Sequence, residues 1–148
     1  MRAEAAGPVP TLLLLDTHVV LWMAFNEARL GRHAAKAINL ASRENRLAVS
    51  AITPWEIGLL ASKKGINLYK DVLEWVQDAL AKPGVTLAPL EPEIAVASTR
   101  LPFEMHPDPA DSILVATARH LGATLVTADK SLLDLAKKGY FRAMDAAK

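Results

Sequence analysis

The sequence predicts an α/β domain around a central, mainly parallel sheet, and three observations predict it. Short apolar runs without polar alternation occur at 11–15, 47–50 and 123–128, which is how strands buried on both faces read. Between them lie segments whose apolar residues recur at helical spacing, so strands and helices alternate along the chain. Two of the apolar runs end in an aspartate, Asp16 and Asp129. In open parallel sheets the ligand crevice lies at the carboxyl ends of the strands, where helix N-termini also emerge.

Residues 1–10 hold one Arg, one Glu and two prolines and are read as a flexible lead before a single domain over 11–148. The leucine run at 12–15 is the first strand. Residues 17–25 follow as a helix, with Val19, Val20, Leu21, Trp22 and Met23 apolar. A second helix is predicted over 32–43, burying Ala34, Ala37, Ile38 and Ala41, and a brief strand over 47–50. Thr53-Pro54-Trp55-Glu56 then has capping-box spacing, with Thr53 as N-cap, Pro54 at the first helical position and Glu56 at the third. That helix runs to about Lys64, where Gly65 stops it.

Residues 70–82 form the plainest amphipathic helix, with Val72, Leu73, Val76, Ala79 and Leu80 on one stripe and Asp71, Glu74 and Asp78 on the polar side. A weak strand over 85–90 is interrupted by Pro89, and Pro92 opens a helix over 91–101. In His106-Pro107-Asp108-Pro109-Ala110-Asp111, Asp108 is the N-cap, Pro109 the first helical residue, and Asp111 lies in the first turn. The apolar stripe that follows is wide enough for a helix buried on most sides, ending near Gly122. A strand over 123–129, a short helix from Ser131 and a final strand over 141–144 close the chain.

Composition narrows the function classes. At 148 residues, 51% hydrophobic and 22% charged, the chain is that of one ordinary globular domain. It contains no cysteine, which excludes disulfides, thiolate zinc sites and cysteine catalysis and suits a reducing, cytoplasmic location. No apolar run reaches the ~20 residues a bilayer needs. The net charge of +1 is not by itself a nucleic-acid signature. It is an average, however, and is compatible with a basic rim around an acidic, metal-filled centre.

Four acids carry the argument. Asp16 and Asp129 end strands, and Glu56 and Asp111 sit near helix starts, so all four should converge on one edge of the sheet. Each alone has a plain explanation as a cap, a turn residue or a partner of a helix dipole. Together they would repel one another strongly without a cation among them. Hard oxygen ligands point to Mg2+ or Mn2+ rather than zinc.

The motifs Leu-Leu-Leu-Asp16-Thr-His, Ser50-Ala-Ile-Thr-Pro-Trp-Glu56-Ile, His-Pro-Asp108-Pro-Ala-Asp111 and Leu-Val-Thr127-Ala-Asp129 resemble those of PIN-domain ribonucleases. They are most similar to the VapC toxins of toxin–antitoxin pairs. The resemblance covers about 12–139 and implies a three-layer α/β/α fold. It implies that Asp16, Glu56, Asp111 and Asp129 form an acidic catalytic cluster for Mg2+ or Mn2+. Asp16 and Asp111 would be direct ligands, and Glu56 and Asp129 would hold waters or position the nucleophile. Thr17 and Thr127 would support the cluster, and Asp108 would be an auxiliary acid or simply the cap. The chain departs from the family pattern at Pro107, Ala110 and Ser112, where members often carry basic or aromatic residues, so substrate contacts there would differ.

The implied activity is metal-dependent endoribonuclease cleavage of tRNA, rRNA or mRNA that blocks translation. The implied partners are a VapB-like antitoxin and a second copy in a homodimer, with no membrane involved. Arg43, Arg46, Lys63, Lys64, Arg119 and Lys130 are candidates for phosphate contact, although each alone reads as a solvated charge. Trp22, Trp55 and Leu59 are candidates for partner surfaces, with buried core as the default reading of each. His18 and His106 lie beside the motifs and receive no role. The alternative is a catalytically inactive PIN-like module that binds RNA or protein; such modules typically lose one or more acids. A haloacid-dehalogenase phosphatase wants an acid at position 18, which is His, and a receiver domain needs an acidic pair after its first strand.

Overall fold

The structure, a computed structural model, describes residues 10–148. The lead expected over 1–10 therefore lies, except for Pro10, outside the described residues. The elements in chain order are β1 (Leu13–Leu15), α1 (Thr17–Ala24), α2 (Arg32–Arg43), β2 (Leu47–Ser50), α3 (Ile52–Ser62), α4 (Val72–Leu80), β3 (Val85–Ala88), α5 (Pro92–Ser98), α6 (Pro109–Leu121), β4 (Thr124–Thr127), α7 (Lys130–Lys137) and β5 (Arg142–Asp145).

The five strands form one sheet in the order β3-β2-β1-β4-β5. Every pairing is parallel, with Leu14 level with Ala48 and Leu125. The mainly parallel sheet read from the sequence is thus wholly parallel. β1, β2 and most of β4 are buried along their length because helices cover both faces, which is why these runs lack polar alternation. On one face Leu14, Ala48 and Leu125 pack against Leu114, Val115 and Ala118 of α6, Leu132 of α7 and Phe141. On the other, Leu13, Leu15, Leu47 and Val126 meet Val19 of α1 and Ile38 and Ala41 of α2. A third cluster joins Leu21, Ile57, Leu68, Trp75 and Val76 away from the sheet. Among the described residues no helix is long and apolar enough to cross a membrane.

The helix ends show local sequence at work. Asp71 accepts from the backbone N–H groups of Leu73 and Glu74 at 3.1 and 3.2 Å, so α4 starts at Val72 rather than at 70. α4 also presents a different face from the predicted stripe: Trp75 is 8% exposed and Leu73 61%. The third cluster lies over the Val72–Trp75–Val76–Ala79 line, and Leu73 is turned off it. At the end of α3 it is Lys64 that takes the left-handed conformation, with φ 57°, while the Gly65 N–H returns to the Leu60 carbonyl at 2.8 Å. α6 ends as expected on Gly122 at φ 63°.

Candidate functional site

Strand order reverses direction at β1, whose neighbours β2 and β4 lead to opposite edges of the sheet. The crevice between the carboxyl ends of β1 and β4 is therefore the switch point at which such sheets bind ligands. Asp16 leaves β1 there, its backbone N–H held by the Val126 carbonyl at 3.0 Å. The residue is 5% exposed. Its Oδ1 accepts from the Thr17 backbone N–H at 2.7 Å and its Oδ2 from the Thr127 hydroxyl at 2.7 Å. The Thr127 Oγ1 in turn accepts from the Asp129 backbone N–H at 3.0 Å. Asp129 caps α7, accepting from Leu132 N–H at 3.1 Å. One threonine thus ties two of the acids to one strand end. His18, which sequence reasoning set aside, also closes this corner. Its Nε2 accepts from Ala128 N–H at 3.1 Å, and its Nδ1 stands 3.6 Å from Asp16 Oδ2.

Glu56 arrives by a different route from the predicted one. α3 begins at Ile52 after Ala51, and no side chain caps it in the predicted way. Instead the Ser50 hydroxyl accepts from Ile52 N–H at 3.1 Å. Pro54 is accommodated because the first-turn N–H groups have no intrahelical partner in any case. Thr53 is therefore inside the helix, not its cap, and its buried hydroxyl lies 2.9 Å from that of Thr17. Thr17 donates to Glu56 Oε1 at 2.5 Å. Glu56 consequently sits in the second turn and faces the crevice, not its own helix end. Thr53 thus belongs to a hydroxyl relay through Thr17 to Glu56 and is not a helix cap.

α6 supplies the third side. Asp108 is the N-cap, its Oδ1 accepting from the N–H groups of Ala110 and Asp111 at 3.0 and 3.2 Å. Asp111 follows in the first turn with a side chain 13% exposed, and its Oδ2 lies 2.6 Å from Nε2 of His106. His106, Asp108 and Asp111 offer one ligand atom each within 4.8 Å of one another. Among the described residues this is the group of such donors at metal-ligand spacing. Asp16, Glu56 and Asp129 ring it without entering that tight set. His106 lacks any periodic signal; the available hint was its place before two prolines that stiffen the loop into the helix.

The charges feel one another. Asp111 is pushed up from 3.8 to about 6. Burial is the main cause, the His106 hydrogen bond pulls it back, and the charges of Asp108, Asp16 and Asp129 raise it further. Glu56 is likewise raised by burial, relieved by Thr17, and raised again by Asp16, Asp111 and Asp108. His106 is raised, chiefly by its bond to Asp111. A cluster in which carboxylates resist ionising is one where a cation would be favoured.

The candidate cations are spread out. Lys130 opens α7 directly after Asp129. Lys63 and Lys64 follow α3, roughly 10 Å along the helix from Glu56. Arg43 and Arg119 close α2 and α6, and Arg46 precedes β2, all at the amino-terminal edge of the sheet, opposite the acids. Arg46 is occupied with Glu44 and the Thr11 carbonyl, and Arg119 with the Tyr140 carbonyl. Arg43, Arg46 and Arg119 thus lie away from the acids, and Lys63, Lys64 and Lys130 are the candidates that remain. Trp55, with core as its default reading, is 57% exposed, and Leu59 and Leu60 are open beside it on α3.

The PIN domain family profile matches residues 13–138. Ribonuclease VapC22 of Mycobacterium tuberculosis is 38% identical over 122 residues, covering 82% of this chain and 90% of that protein. The fold is similar to that of VapBC2 from Rickettsia felis, solved bound to a promoter DNA fragment. There the TM-score is 0.62 at 14% identity, over 90% of this chain and 98% of that one. It is also similar to DNA-bound VapBC from Salmonella typhimurium, with a TM-score of 0.63 at 17% identity, over 92% and 98% of the two chains.

Proposed function

The chain belongs to the PIN-domain family, and on that premise we propose that it is a VapC-type toxin, an endoribonuclease that hydrolyses RNA phosphodiester bonds at the β1–β4 crevice and so blocks translation. The observation that carries the reading is the meeting of five carboxylates there, from Asp16, Glu56, Asp108, Asp111 and Asp129, with Asp111 and Glu56 held above their ordinary range. The donor set is oxygen-rich with one imidazole beside it, which suits Mg2+ or Mn2+. Asp16 and Asp111 would hold the ion, and Asp129 would order water beside it. When bound, the ion supplies an acidified water and offsets charge on the phosphoryl oxygens.

The chain's own groups do the rest. Glu56, raised by burial and aimed by Thr17, accepts a proton from the attacking water. The water oxygen bonds to phosphorus as the bond from phosphorus to the departing ribose oxygen breaks, and that oxygen takes up a proton from solvent. Thr127 holds Asp16 and, through its N–H acceptor role, the start of α7. Lys130 is the candidate cation placed to meet an RNA phosphate at this edge.

We read residues 11–148 as one PIN-like domain acting in the cytoplasm. Its partners would be a VapB-like antitoxin and a second copy in a homodimer. The open Trp55–Leu59–Leu60 face of α3 supports a docking role for that helix.

Cleavage of a mixed RNA pool in Mg2+, Mn2+ or EDTA, with wild type beside Asp16→Asn, tests the reading. Metal-dependent cutting by wild type alone is expected. Equal cutting by the variant, or cutting in EDTA, would sink it. RNA binding without cutting would favour the inactive module.

A further inference from the structure

The imidazole of His106 has no place in the acidic cluster as read from the sequence, yet it makes a short contact with one of its members. Nε2 lies 2.6 Å from Asp111 Oδ2. The ring is 36% exposed and the carboxylate 13%, so the imidazole covers one oxygen of an otherwise inward-facing acid. The loop that carries it is constrained. Asp108 N–H donates to the His106 carbonyl at 2.8 Å, Pro107 restricts His106 itself, and Asp108 and Pro109 fix the first turn of α6.

Two arrangements are open to such a ring. As a metal ligand beside Asp111, it would have to stand roughly 3 Å from the carboxylate oxygen, since cis ligands on an ion with ~2.1 Å bonds are separated by about 1.4 times that length. The observed 2.6 Å is the length of a charge-assisted hydrogen bond, the second arrangement. Where Asp111 is ionised its carboxylate only accepts, so Nε2 then carries the hydrogen and donates.

We propose that His106 is a positioning residue for the metal site: its Nε2–H holds Asp111 Oδ2 and so fixes the carboxylate that would help hold the ion. The inference rests on the reading of Asp111 as a metal ligand given above. Outer hydrogen-bond partners of this kind set the orientation of a ligating carboxylate, and their loss typically weakens metal binding by about 10–100-fold.

The test is Mn2+ binding to the whole chain, by calorimetry and electron spin resonance, for wild type, His106→Ala, His106→Gln, Asp16→Asn and Asp111→Asn. His106→Ala should bind about tenfold more weakly. His106→Gln, whose amide N–H reaches the same oxygen, should recover most of the loss. The spin-echo spectrum of wild type should show no directly bound nitrogen. A nitrogen coupling that disappears in His106→Ala would make the ring a ligand and overturn the proposal. So would unaltered affinity in His106→Ala, or a loss that glutamine fails to restore and that tracks lowered stability in EDTA. Failure of the underlying reading looks different: no Mn2+ bound by wild type, or affinity unaltered in both Asp16→Asn and Asp111→Asn, removes the metal site and with it the role of His106.

Discussion

Replacing Asp111 by Asn should stabilise the metal-free protein at neutral pH. The carboxyl stands at about 6 in the fold against an ordinary 3.8. A folded-state pKa raised above the unfolded one means the stability tied to the neutral form is fully present below pH 3.8 and is lost as pH rises through about 6. Above that window the ionised group opposes folding. Two units at ~1.4 kcal/mol each set an upper limit of about 3 kcal/mol. Against it stand ~0.3–1 kcal/mol of dipole stabilisation that a first-turn carboxylate supplies and asparagine does not, and solvent screening of a carboxyl that is only partly buried; the His106 bond is already counted in the shift. The net gain is then about 1–2 kcal/mol, or roughly 3–6 °C in melting temperature for a chain of this size.

Thermal unfolding in EDTA and in saturating Mg2+ or Mn2+ checks both halves of the argument. In EDTA the variant should melt above wild type at neutral pH, with the gap closing at about pH 4, where both side chains are neutral. Added metal should raise wild type, by ~2.7 kcal/mol at a hundredfold excess over Kd, and leave the variant almost unmoved. A variant less stable than wild type in EDTA, or equally lifted by metal, would refute the reasoning.

Three further outcomes follow from the same geometry. Thr127→Val removes the donor to Asp16 Oδ2 and the acceptor for Asp129 N–H, so urea unfolding should show a loss of about 1–3 kcal/mol and RNA cleavage should fall with it. At low Mn2+, cleavage should rise with pH through about 6 as Asp111 gives up its proton, and saturating Mn2+ should move that limb to lower pH, because metal and proton compete for one carboxylate; a limb that ignores the metal concentration would count against Asp111 as a ligand. Trp55→Ala, at a side chain left largely open on α3, should change melting by little while weakening co-purification with the cognate antitoxin; unaltered co-purification would remove α3 from the docking surface.

Much of the fold could be read from local chemistry because local chemistry decides it. The bounds of α2 follow from its helical periodicity and those of β2 from an unbroken apolar run, and Asp108-Pro109 starts α6 where a cap followed by proline must. The misreadings occur where tertiary contacts chose between locally equivalent options. Thr-Pro-Trp-Glu fits a capping box, but the same residues also fit a helix begun slightly earlier, since proline is tolerated throughout the first turn. The Thr17 hydroxyl, from α1, settles the matter by drawing both Thr53 and Glu56 inward. On α4 the apolar residues are wide enough for two overlapping stripes, and the cluster around Leu68 selects the one through Trp75. His106 had no pattern to find: its partner is five residues away across a loop and a helix start.

The acids of the crevice are not equivalent, and their difference indicates where a cation matters to the fold. Asp16, the most enclosed, has both oxygens met by the chain's own donors, Thr17 N–H and the Thr127 hydroxyl. Asp111 has one imidazole, and Glu56 one hydroxyl that it shares with Thr53. Both of these carboxyls are lifted above their ordinary range. A divalent ion arriving at the switch point therefore relieves little at Asp16, which serves as a preorganised wall. It relieves most along the Asp111–Glu56 side, where burial and like charge are least compensated. Metal-dependent stability should accordingly vanish in Asp111→Asn yet persist in part in Asp16→Asn, even if both variants fail to cut RNA.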